Sequence, residues 1–295
     1  MKTLILRSIT GVLFVVVMVA GILWSPLTAG LLFLLITALS VWEFTGIVNM
    51  RADVHVNRFI TTVAAVCLYL GLYGYAAGID DAMPLLVPWM AGIVYLLISE
   101  LYLGHTSPLN NWAYTLMAQV YVALPFALTP MMVFADICGD EAVQCGTTHG
   151  QWLLMAVFIF LWCSDTGAYC TGSLIGRHKL FPRVSPGKTW EGSIGGGLLA
   201  LAASQLIVWL GPQQSMDDGC TLVYGLTRLQ WAGFALVVVV FGTWGDLVES
   251  LIKRQLGIKD SGNILPGHGG MLDRFDSSLL ALPAVMVYLY CLAFA

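Results

Sequence analysis

The chain has 295 residues, 58% of them hydrophobic and 10% charged, with a mean hydropathy of +0.83. Ordinary soluble domains carry roughly a quarter charged residues, so a soluble globule is excluded. The net charge of -4 says little about partners, and no nucleic acid is expected among them. Apolar runs with short polar gaps recur throughout, so the economical reading is one integral membrane domain, 1–295, with N-terminal spans in 1–135 and C-terminal spans with their inner loops in 151–295.

The first apolar run, Ile9 to Trp24, follows Lys2 and Arg7 as a signal peptide would. No small-residue cleavage pattern follows it, and Pro26 leads straight into a second run, so it is read as a retained span. A spanning helix needs about 20 mainly apolar residues. The fold expected is therefore an all-α polytopic transmembrane bundle of about nine spans, at roughly 8–24, 26–45, 59–77, 83–103, 112–134, 151–174, 193–211, 230–249 and 277–295.

With the N-terminus cytoplasmic, the inner segments hold Lys2, Arg7, Arg51, Arg58, Arg177, Lys179, Arg183, Lys188, Lys253, Arg254, Lys259 and Arg274, which is 12 of the 13 basic residues. Only Arg228 falls outside, as the positive-inside rule requires. Asp80, Asp81, Asp136, Asp140, Glu141, Asp217 and Asp218 then lie on the outer face. Cys67, Cys163, Cys170 and Cys291 sit in spans as small apolar fillers. Cys138, Cys145 and Cys220 sit in outer loops, where an oxidising compartment would permit a Cys138–Cys145 bridge.

Three polar segments interrupt this pattern on the inner side. The first is Ser164-Asp165-Thr166-Gly167-Ala168-Tyr169 within the sixth span. A carboxylate in hydrocarbon costs at least about 2.5–3.5 kcal/mol and must face a partner or a cavity; the plainer alternative is interhelical packing. The second is the basic loop from Gly176 to Gly192. Its Gly187-Lys188-Thr189 invites a Walker A reading, but that motif needs a preceding strand and glycine at 182, where Pro182 stands. Lys188 and Thr189 are left as phosphate-binding candidates, with Pro186 and Gly187 expected to form a turn beside them.

The third segment runs from Gly245 to Asp276. On a helix Asp246, Glu249, Ser250 and Lys253 fall at i, i+3, i+4 and i+7, a polar stripe opposite Leu247, Val248, Leu251 and Ile252. One helical turn would likewise put Asp273 and Asp276 on one face. Carboxylates beside lysines and arginines at a membrane edge suit a Mg2+–phosphate site: hard oxygens for the ion, cations for the remaining phosphate charge.

Ser250, Lys253-Arg254, Lys259-Asp260 and His268-Gly269-Gly270-Met271-Leu272-Asp273-Arg274-Phe275-Asp276 together resemble the signature of the phosphatidate cytidylyltransferase (CDP-diacylglycerol synthase) family. The Ser164-Asp165 segment and the loop from Ser185 to Gly192 are also similar to family segments. The resemblance implies an enzyme in which a phosphatidate oxygen attacks the α-phosphorus of CTP and pyrophosphate leaves. It also implies Mg2+ held by Asp246 and Asp273, a monovalent cation such as K+, a homodimer, and a bacterial inner membrane location with the site open to the cytoplasm.

On this reading Asp246, Asp273, Lys188, Lys259 and Asp260 are the expected catalytic residues. Substrate binding is expected of Ser164, Asp165, Ser185, Lys188, Thr189, Glu191, Lys253, Arg254, His268 and Arg274. Metal binding is expected of Asp246, Asp273, Glu249 and Asp276. His268 is read as a phosphate-contacting or turn-fixing residue, because a phosphomonoester with a second pKa of about 6 is largely ionised near neutral pH and needs no base. A transporter would show inverted repeats or paired broken helices, and none stands out. A CTP-dependent polyprenol kinase would not need the His268-to-Asp276 signature.

Overall fold

Ser25 is where the chain first turns. Helix α1 (Lys2–Trp24) ends there, and Ser25 caps α2 (Pro26–Val48): its hydroxyl accepts the Thr28 N–H while Thr28 Oγ accepts the Ser25 N–H, with Pro26 at the first helical position. The structure is a computed structural model and describes residues 2–79, 82–135, 148–215, 221–223, 225–262, 264 and 269–293. The acidic residues expected on the outer face, Cys138, Cys145, Cys220 and His268 lie outside the described residues.

Asn57 caps α3 (Arg58–Ala76), and α4 (Leu86–Leu103) and α5 (Pro108–Met117) follow. Pro125 and Pro130 lack the N–H that an α-helix needs, so the fifth span continues as a π-turn at Ala118–Ala123, then α6 (Leu124–Ala127) and α7 (Thr129–Val133). After α8 (Thr148–Ile175), strands β1 (Lys179–Phe181) and β2 (Ser185–Thr189) form an antiparallel hairpin leading into α9 (Trp190–Leu210). A second small sheet, β3 (Gln213–Ser215), β4 (Thr221–Val223) and β5 (Leu226–Thr227), precedes α10 (Arg228–Leu256), α11 (Leu272–Phe275) and α12 (Ser278–Ala293).

Among the described residues eight helical segments are long and apolar enough to cross a membrane, and Ile9–Trp24 is a shorter apolar helix. The expected helical bundle is present, with two small sheets in its loops that hydropathy could not announce. The turn expected at Pro186-Gly187 is corrected: both residues lie in β2, and the chain reverses earlier, where Val184 N–H reaches Phe181 O at 3.2 Å. A two-stranded sheet consists of edges only, where a proline missing its N–H is tolerated.

The chain divides into two compact units, Met1–Phe134 with Ile252–Phe275, and Ala135–Leu251 with Asp276–Ala295. In the first, the buried Phe275 ring packs edge-on against Phe14 (5.7 Å) and Phe126 (5.6 Å), so the segment after α10 belongs with the N-terminal spans. In the second, α8 and α9 touch through glycines: a Cβ on Gly196 would stand 2.5 Å from Ser164 O, and one on Gly167 2.9 Å from Gly195 O. Small residues let membrane helices approach closely. Phe160, Trp231 and Phe234 pack within 5.5–6.2 Å of one another.

Candidate active site

In the second unit, hairpin and helix α10 bring together two of the expected residues. Lys188 Nζ lies 2.6 Å from Asp246 Oδ2 and donates to the Thr243 carbonyl at 3.3 Å. Ser250, one turn beyond Asp246, donates to Asp246 Oδ1 at 3.1 Å, as the i, i+4 spacing requires. Thr189 ends β2 and caps α9 by accepting the Gly192 N–H at 3.1 Å.

Ser164, Asp165 and Tyr169 of α8, with Lys188, Thr189, Ser193, Thr243 and Ser277, line a cavity of about 220 Å³. It is the kind of polar recess that an intramembrane carboxylate needs. Ser193 and Thr243 were not singled out from sequence, where their types are unremarked among helical residues.

Glu191 sits in the first turn of α9, accepts the N–H groups of Arg177 and His178 at 3.2 Å each, and meets His178 Nδ1 at 2.5 Å. It fastens the start of the hairpin to the helix. Ser185 opens β2 opposite Phe181. Glu249 is fully buried within α10. The short helix expected to carry both Asp273 and Asp276 stops at Phe275, and Asp276 accepts the N–H of Ser277 at 2.6 Å in the turn before α12.

In the first unit, Asp273 is held by three donors. Lys253 Nζ lies 2.8 Å from Oδ1, and the N–H groups of Ser261 and Gly270 each reach Oδ2 at 2.8 Å. The Lys253 and Asp273 side chains are only 15% and 8% exposed, so each carboxylate oxygen needs these partners in place of water. Gly269 adopts φ +83°, and a Cβ there would stand 2.6 Å from Asp273 Oδ2; no other residue fits.

Sequence reading passed over Glu43 of α2. It is buried, accepts the Ser261 hydroxyl, and takes the N–H groups of Met271 at 2.8 Å and Leu272 at 3.1 Å. An acidic residue inside the apolar 26–45 run was the signal available. Arg254, Lys259, Asp260 and Arg274 are exposed.

Asp246 and Asp273 offer hard oxygen donors of the kind Mg2+ prefers. Among the described residues no group of three or more His, Cys, Asp or Glu is placed to hold a metal ion. Mg2+ usually takes one or two carboxylates and completes its shell with water and substrate phosphates.

The Cytidylyltransferase family matches residues 5–292. The chain is 32% identical over 282 residues to the phosphatidate cytidylyltransferase of Haemophilus influenzae, an overlap of 92% of this chain and 93% of the relative. It is 30% identical over 284 residues to that of Staphylococcus haemolyticus, covering 96% and 98%. Against that of Staphylococcus aureus it is 39% identical over 177 residues, covering 60% and 58%.

Proposed function

Because the chain belongs to the phosphatidate cytidylyltransferase family, we propose that it transfers a cytidylyl group from CTP to phosphatidic acid, giving CDP-diacylglycerol and pyrophosphate. The observation that carries this reading is the family match across nearly the whole chain, both compact units included. A phosphatidate oxygen forms the new bond to the α-phosphorus of CTP, and the bond to the bridging oxygen of the departing pyrophosphate breaks. The attacking phosphate is already largely ionised near neutral pH, so the work of the protein is positioning and charge neutralisation.

Lys188 supplies a cation at the polar cavity, where Ser164, Asp165 and Thr189 offer further hydrogen-bonding groups. A phosphate at Lys188 competes with Asp246 for the ammonium, and a cation at Asp246 competes with Lys188 for the carboxylate. Asp246 and Asp273 are each proposed as Mg2+ ligands, with Glu249 and Asp276 as further acidic donors. Mg2+, when bound, neutralises charge on the phosphate oxygens. Lys253 orients Asp273 and the exposed Arg254, Lys259, Asp260 and Arg274 face arriving anions and their counter-cations; Ser185, Glu191 and His268 complete the proposed substrate-binding set.

The same reading includes a K+ requirement, checked by replacing K+ with Na+ or choline, and a homodimer, checked by the mass of the detergent-solubilised protein. It places the enzyme in a bacterial inner membrane with its site on the cytoplasmic side. The deciding experiment incubates solubilised enzyme with labelled CTP and phosphatidate. Appearance of CDP-diacylglycerol with stoichiometric pyrophosphate is expected; folded enzyme that forms neither sinks the assignment.

A further inference from the structure

We propose that Glu43 is a positioning residue, which holds the carboxylate of Asp273 in place through Ser261 and the Gly270-Met271-Leu272 peptides and so sets turnover without touching substrate. This rests on the reading of Asp273 as a residue of the reaction. Glu43 lies within α2, a spanning helix, and is 6% exposed. Burying a carboxylate there is costly unless its oxygens are satisfied, and the partners are one hydroxyl and two peptide N–H groups from a segment more than two hundred residues away.

The contacts of Glu43 and Asp273 interlock. Ser261 gives its hydroxyl to Glu43 and its N–H to Asp273. Gly270 gives its N–H to Asp273, and the next peptide, Met271, gives its own to Glu43. The segment is also fitted to the shape of Glu43: a Cβ on Gly262 would stand 2.9 Å from the Glu43 carboxyl carbon, and one on Gly270 would overlap Oε1. Neither Ser261 nor Gly270 can shift without disturbing both carboxylates.

The test uses the full-length enzyme in detergent, with Glu43→Gln and Ser261→Ala as variants. Gln keeps the size but turns an NH2 group toward donors, whereas Ser261→Ala removes one donor to Glu43 and leaves the N–H to Asp273. Glu43→Gln is expected to lower kcat about 10-fold or more while KM for CTP and phosphatidate stays within about 2-fold. Amide exchange at Ser261, Gly270, Met271 and Leu272 should quicken. Ser261→Ala should shift kcat and exchange in the same direction by less.

Folded Glu43→Gln with wild-type kcat overturns the proposal, as does a fall in kcat with unchanged exchange. If Glu43→Gln does not fold, Ser261→Ala decides: unchanged kcat and exchange overturn it. An inactive wild type would instead defeat the assigned reaction, and the exchange measurement would still judge the positioning.

Discussion

Lys188 and Asp246 meet at 2.6 Å, 58 residues apart in the chain, one at the end of a hairpin strand and the other in the middle of a spanning helix. Each is the other's counter-ion, and on the proposed reading a substrate phosphate or a metal ion would take its place. Lys188→Ala should therefore lower kcat/KM roughly 10- to 100-fold, since a hydrogen bond to a charged group is worth about 1.5–3 kcal/mol. Steady-state kinetics with each substrate varied in turn would check it. Wild-type constants for both would leave Lys188 as a counter-ion only.

Asp273→Asn is expected to abolish turnover and to destabilise the protein, because the ammonium of the largely buried Lys253 then faces a neutral amide in place of a carboxylate. Breaking such a pair costs about 3–5 kcal/mol, whereas replacing both members by apolar groups can be neutral. The double variant Lys253→Met with Asp273→Asn, whose amide oxygen still accepts from Ser261 and Gly270, should regain thermal stability in detergent but not activity. Recovery of both would mean that the pair is structural.

Chelation of divalent cations should abolish activity, and Mg2+ should restore it. Asp246→Asn should shift the Mg2+ dependence to higher concentration or remove turnover altogether. Near-wild-type activity of this variant at limiting Mg2+ would exclude Asp246 as a ligand.

The α8–α9 contact predicts a contrast between neighbouring glycines. Gly196→Leu drives a side chain into the backbone of Ser164 and should cost about 1–3 kcal/mol or more. Gly197→Ala meets only Val239, at 3.8 Å, and should be neutral or slightly stabilising. Thermal unfolding in detergent measures both, and equal effects would contradict the packing described.

Topology is testable by impermeant thiol labelling of single cysteines in intact cells that carry a variant without native cysteines. Ser261 is 4% exposed and would resist reagent from either side, so the exposed Gln255 is the better inner reporter and the exposed Gln213 the outer one. Gln255→Cys should stay protected and Gln213→Cys should react. Labelling at 255 from outside, in sealed cells, would remove the cytoplasmic CTP site.

The spans were legible in the sequence because crossing a membrane is a local demand: about 20 apolar residues in a row, whatever lies elsewhere. The spacing of Asp246, Glu249, Ser250 and Lys253 was legible for the same reason, since helical periodicity is local and α10 carries all four, but the full burial of Glu249 was not. The family signature supplied the reaction, because its polar residues stand in fixed order along the chain.

What remained hidden depended on distant partners. The hairpin that delivers Lys188 is built of exposed, short strands whose pattern is too brief to read. The membership of Ile252–Phe275 in the N-terminal unit rests on where Phe275 finds Phe14 and Phe126. Composition alone determined that this chain lives in a membrane, since burial of apolar surface is set by residue type. Only the tertiary structure decided that Glu43 belongs to Ser261, Met271 and Leu272, because a buried carboxylate takes whichever donors the folded chain brings to it.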